Sequence, residues 1–141
     1  MLSLLGALHP ASLMIRILVT EFVINMLWGV FHIVIHEVGH VLAALMMGCK
    51  IKQVGISRLG PYVRRTSAKT PLGNAFVALS GPGINLLTAA LFWIFSLPHP
   101  WIPLFIGLLN LLPVPNSDLS KGILYLRGAT PAGPNATSYL D

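Results

Sequence analysis

Charge is what this chain has least of. Only 9% of its 141 residues are Asp, Glu, Lys or Arg, against about 25% in soluble domains. The acids are Glu21, Glu37, Asp118 and Asp141 alone. So little charge cannot dress a water-facing surface. With 55% hydrophobic residues and a mean hydropathy of +0.77, the composition describes a multi-pass integral membrane protein. The length suffices for three or four spans across a lipid bilayer and little else. A single cysteine, Cys49, excludes an intramolecular disulfide. No basic residue precedes the first apolar run, which argues against a cleaved signal peptide. No internal repeat is present. The net charge of +5 does not indicate a nucleic-acid partner, because six of the nine basic residues fall in one loop, where they report membrane topology.

Against this apolar background stands His36-Glu37-Val38-Gly39-His40. On a helix, His36 and His40 are four residues apart and share one face. That spacing suits two ligands of a tetrahedral Zn²⁺, with Glu37 beside the water such a metal activates, as general base. A charged group at mid-bilayer costs roughly 2.5–3.5 kcal/mol, and a bound metal offsets that cost. The competing reading is a chance H-E-x-x-H whose histidines are hydrogen-bonded within a helix bundle.

Residues 1–19 are apolar but interrupted, and read as a lead-in, an interfacial segment or an extra short helix. Residues 20–126 form the core, and 127–141 a mobile tail. Thr20 to Met47 predicts a first span about 40 Å long. Asn25, Gly29, His32, His36, Gly39 and Ala43 recur along it at steps of three and four, and His40 joins that stripe. In a membrane, a small and polar stripe faces protein rather than lipid. His32 is either a further ligand or substrate-path residue, or a bundle-facing histidine hydrogen-bonded to a neighbour. Residues 49–70 carry Lys50, Lys52, Arg58, Arg64, Arg65 and Lys69, with no acid. They predict a short membrane-surface hairpin turning at Arg58-Leu59-Gly60-Pro61, on the cytoplasmic side of what we expect to be the plasma membrane.

Pro71 to Leu97 predicts a second span, striped by Asn74, Ala78, Gly81, Asn85 and Thr88, with Pro82 inside it. A third span begins at Trp101 and carries Pro103, Gly107 and Asn110. Pro113 and Pro115 then break the helix, and Asp118 follows. Catalytic zinc usually has three protein ligands and one open position. Asp118 is the only remaining carboxylate between the spans and the tail, and so the candidate third ligand. Asn85 and Asn110 are candidates for holding substrate backbone or stabilising an oxyanion.

H-E-x-x-H in a membrane helix, then Gly81-Pro82-Gly83-Ile84-Asn85, then Asn110-Leu111-Leu112-Pro113 followed by Asp118, resembles the site-2 protease family of intramembrane zinc metalloproteases. The resemblance covers about residues 20–126. It implies a core of three transmembrane helices; with the hairpin read above between the first two, the expected fold is all-α integral membrane. It implies one Zn²⁺ per chain, held by His36, His40 and Asp118 with Glu37 as base. The implied activity is hydrolysis of peptide bonds within or beside transmembrane segments of membrane-protein substrates. One departure stands out: the family pattern has Gly directly after the Asp, whereas here Leu119 follows. Two rival functions fit the same residues less fully. One is a catalytically inactive relative that binds membrane helices as a regulator; the other is a zinc-handling membrane protein.

Overall fold

The computed structural model describes residues 10–57 and 60–129. The expected readings of residues 1–9, of the Arg58-Leu59 turn and of the tail from 130 onward lie outside them. Among the described residues, four helices and one two-stranded sheet follow in the order α1 (Pro10–Met46), β1 (Ile51–Ser57), β2 (Gly60–Arg65), α2 (Pro71–Ile94), α3 (Trp101–Asn110) and α4 (Asp118–Leu126). The first helix starts ten residues before the expected Thr20, so residues 10–19 continue it. Its 37 residues span about 55 Å at 1.5 Å each.

Gly48 ends the first helix. It takes φ 71°, a left-handed conformation that suits glycine. The Cys49 amide then reaches back to the Ala44 carbonyl at 2.9 Å, closing the helix end as a Schellman turn. The strands pair antiparallel, Val54 opposite Val63, with an irregularity between Ile51 and Gln53. Thr70 caps α2 by accepting from the Gly73 amide at 3.0 Å, and Pro71 opens the helix where a missing N–H costs nothing.

Among the described residues, two helices are long and apolar enough to cross a membrane, α1 over Ser12–Met46 and α2 over Pro71–Ile94. The expected third span differs. Its helix, α3, has 10 residues, about 15 Å, roughly half of a hydrocarbon core. The prolines at 113 and 115 cannot continue it, and the chain turns before α4 begins.

Burial is inverted relative to a soluble fold. Large apolar side chains such as Phe22, Leu27, Ile94 and Trp101 lie exposed, while the buried set is small or polar: Ala43, Ala44, Ala75, Ala78 and Ala89 beside His32, His36, Asn74, Asn85 and Asp118. This is the distribution expected where lipid is the solvent and helices meet through small residues. The predicted stripes face inward with two exceptions. A Cβ at Gly29 would meet nothing within 4 Å. Asn25 is exposed and donates to the Glu21 carbonyl of its own helix at 2.6 Å.

Asn74 ties the hairpin to the helices. Its Oδ1 accepts from Arg65 Nη1 at 3.1 Å and from the Ala68 amide at 2.9 Å, while Nδ2 donates to the Ala68 and Thr70 carbonyls at 3.2 Å each. Its place in a polar stripe therefore reflects structure. Asn74→Ala should remove four partly buried hydrogen bonds, each worth about 0.5–1.5 kcal/mol. The expected result is a clearly lower thermal unfolding midpoint in detergent, with the hairpin the first segment to gain protease sensitivity.

Candidate metal centre

The site forms where α1 crosses α2 at close range. Gly39 makes that approach possible: a Cβ there would lie 2.8 Å from both Ile84 Cγ2 and the Ser80 carbonyl oxygen. His36 and His40 therefore meet α2 directly. Asp118 comes from the other side as the first residue of α4, whose N-cap Ser117 accepts from the Ser120 amide at 3.2 Å. Gly122, one turn further along α4, lets it lie against Leu79 of α2.

The departure at Leu119 proves harmless to this geometry. Leu119 lies inside α4, where no glycine conformation is needed. The left-handed turn falls instead on Asn116, at φ 67°, and asparagine tolerates that region better than most residues.

Three donor atoms converge. His36 Nε2 lies 2.9 Å from Asp118 Oδ2, His40 Nε2 lies 3.4 Å from the same oxygen, and the two Nε2 atoms are 3.2 Å apart. A tetrahedral zinc with ligands at about 2.0–2.1 Å holds them about 3.3–3.4 Å from one another, so this triangle fits one ion with little adjustment. His40 Nδ1 donates to the Val77 carbonyl at 2.7 Å. That bond places the proton on Nδ1 and leaves the Nε2 lone pair for a metal. Space is provided as well. A Cβ at Gly81 would fall 2.6 Å from His36 Nε2 and closer still to His40 Nε2. Burial would by itself raise the Asp118 carboxyl, but the hydrogen bond with His36 and the closeness of His40 outweigh it and hold that group well below the usual carboxylate range. It is a ready anion.

A family model, Peptidase family M50, matches residues 22–101, more than half of the chain. The chain belongs to this family, the site-2 protease family. Searches of curated proteins and of solved structures find no match. M50 membership makes the chain a member of a membrane-embedded peptidase family. The matched segment ends before Asp118, so the third member of the cluster stands on geometry.

Of the residues singled out above, His36, His40 and Asp118 come together as a possible metal set. Glu37 is half-buried beside them and within electrostatic reach of His40, His36, Asp118 and Lys121. Asn85 is fully buried against His36, its Nδ2 3.2 Å from Nδ1. Asn110 donates to the Ile106 carbonyl of its own helix at 3.0 Å. His32 stands outside the cluster. Its ring is buried among Trp28, Phe31 and Phe92, facing the bundle as expected, but neither ring nitrogen has the expected hydrogen-bond partner among the described residues. Sequence reasoning missed the Val77 carbonyl, which carries no residue signal, and Lys121, whose i+3 spacing from Asp118 was available.

Gly81→Ala isolates the role of space. Alanine is the better helix former by about 1 kcal/mol, so helix propensity alone predicts an unharmed protein. The expected outcome is instead a marked loss of bound zinc, measured per purified chain, with helix content unchanged.

Proposed function

We propose that this chain is an intramembrane zinc endopeptidase that hydrolyses peptide bonds within or next to transmembrane segments of membrane proteins. The observation that carries the reading is the His36–His40–Asp118 triangle, sized for zinc and flanked by Glu37, in a chain of peptidase family M50. Zinc held there supplies Lewis acidity, which acidifies a water and polarises a carbonyl. The remaining work falls to the chain. Val77 orients His40 through Nδ1. Asp118 arrives ionised. Glu37 takes the proton of the attacking water and delivers it to the leaving amine. Lys121 adds positive charge within reach of Glu37. Asn110 remains the candidate for substrate backbone or an oxyanion, because Asn85 lies against His36.

In this reading α1 and α2 cross the bilayer. The short α3 enters from the outer face and stops at depth, where its broken continuation lines the site; irregular backbone is tolerated in a membrane under that condition. Together they make up the three-helix core. The basic residues 49–70 lie in the cytoplasm, with the plasma membrane as the expected location. A cysteine introduced at Ser57, with Cys49 replaced, should resist an impermeant thiol reagent applied to intact cells. Labelling from outside would reverse the topology.

Glu37→Gln separates binding from chemistry. The amide keeps the size of the carboxylate but takes no proton from water. Zinc should remain near one per chain, while cleavage of a transmembrane substrate falls roughly 10²–10⁴-fold. Wild-type protein with full zinc and no cleavage of any membrane substrate would favour the inactive regulator, and retained turnover in Glu37→Gln would end the mechanism.

A further inference from the structure

Asn85 is wholly buried on α2, one turn beyond Gly81, and its amide faces the far edge of the His36 ring. Its Nδ2 is 3.2 Å from His36 Nδ1, whereas its Oδ1 is buried with no hydrogen-bond partner among the described residues. On its other edge, His36 Nε2 lies 2.9 Å from Asp118 Oδ2.

These contacts describe one of two consistent proton arrangements. With the proton on Nε2, His36 donates to Asp118, and Asn85 Nδ2 donates to the bare Nδ1. Resting on the zinc reading above, the loaded site needs the other arrangement. A neutral imidazole that offers its Nε2 lone pair to a metal carries its proton on Nδ1. Nδ1–H would then face the Nδ2 hydrogens, donor against donor. Turning the amide end over exchanges Nδ2 for Oδ1 with almost no change of shape. The oxygen without a partner then accepts from Nδ1–H.

We propose that Asn85 is a positioning residue for the metal centre, whose side-chain oxygen accepts from His36 Nδ1–H and so turns His36 Nε2 toward the metal. The two ligand histidines are then oriented alike. Val77 provides a backbone acceptor for His40, and Asn85 provides a side-chain acceptor for His36. Both acceptors belong to α2, so one helix sets the tautomer of both ligands on α1. An amide suits the place better than a fixed acceptor, because it can also serve the metal-free tautomer.

The test is zinc affinity of the full chain in detergent, by competition with a chromophoric chelator, for wild type, Asn85→Ala and Asn85→Asp. Asn85→Ala should bind zinc about 10–100-fold more weakly, the usual scale for loss of a partner to a ligating histidine. Asn85→Asp keeps an acceptor oxygen but has no donor, and should bind close to wild type. An oxyanion or substrate role makes a different forecast: unchanged zinc in both variants, with activity lost in both. Equal affinity of all three proteins would overturn the proposal. If Asn85→Ala does not fold, Asn85→Asp decides alone, since a folded Asp variant with weakened zinc contradicts an acceptor role. Failure of the wild type itself to bind zinc would remove the metalloprotease reading, and this proposal with it, and is seen without any variant.

Discussion

The separation between α1 and α2 is the constraint on which the rest depends. At Gly39 and Gly81 the two helices are so close that a single added carbon would meet backbone on one side and ligand nitrogens on the other. Only at that separation can an imidazole on α1 reach a carbonyl within α2, as His40 reaches Val77. Pro82 contributes from the same turn. It has no N–H to return to the helix ladder, and it is fully buried with its carbonyl oxygen close to where a Cβ on Gly107 would stand. The third helix can therefore approach α2 at the same level. Glycine, proline and asparagine, poor helix formers in water, stand here because contact distance matters more than propensity.

A membrane setting explains why polar groups carry so much of this fold. Lipid is as apolar as leucine, so burying leucine stabilises nothing, and packing and hydrogen bonds must hold the helices together. The chain follows that logic. Alanine and glycine line the contacts. Asn74 satisfies donors and acceptors on three residues at once, and Arg65 reaches both Asn74 and the Thr66 carbonyl. The hairpin is thereby tethered to the base of α2, close to the end of α1, where Cys49 is buried beside Ala43, Ala44 and Val77.

What was legible in the sequence was what repeats or is rare. The steps of three and four in α1 and α2 foretold their inward faces, because small residues are conspicuous among leucines. His36 and His40 were legible from spacing, and Asp118 from the scarcity of acids. Three things were not. Asn25 extends the stripe in sequence, yet lies beyond the part of α1 that α2 covers. The shortness of α3 was hidden because its apolar run continues through Leu111 and Leu112, past the last helical residue Asn110. The orientation of the ligands was hidden as well, since a carbonyl such as Val77 belongs to every residue type, and an asparagine near a metal motif suggests substrate as readily as support.

The position of Asp118 shows why the third candidate ligand follows a break in the chain. A carboxylate inside a long apolar helix would have no helix terminus to favour its charge. At the first position of a helix it faces the positive end of the macrodipole, and His36 lies at 2.9 Å. The site is therefore electrostatically viable before any metal binds, and its three donor atoms already lie at nearly the separations a tetrahedral ion requires. Reaching that position requires α3 to stop short, the chain to turn through Pro113, Pro115 and the left-handed Asn116, and a new helix to begin with Ser117 as its cap. A third helix that simply crossed the bilayer would give up the dipole and bury the charge. The broken third element is thus the condition under which a chain with so few acids can keep one ionised at the level of its two histidines.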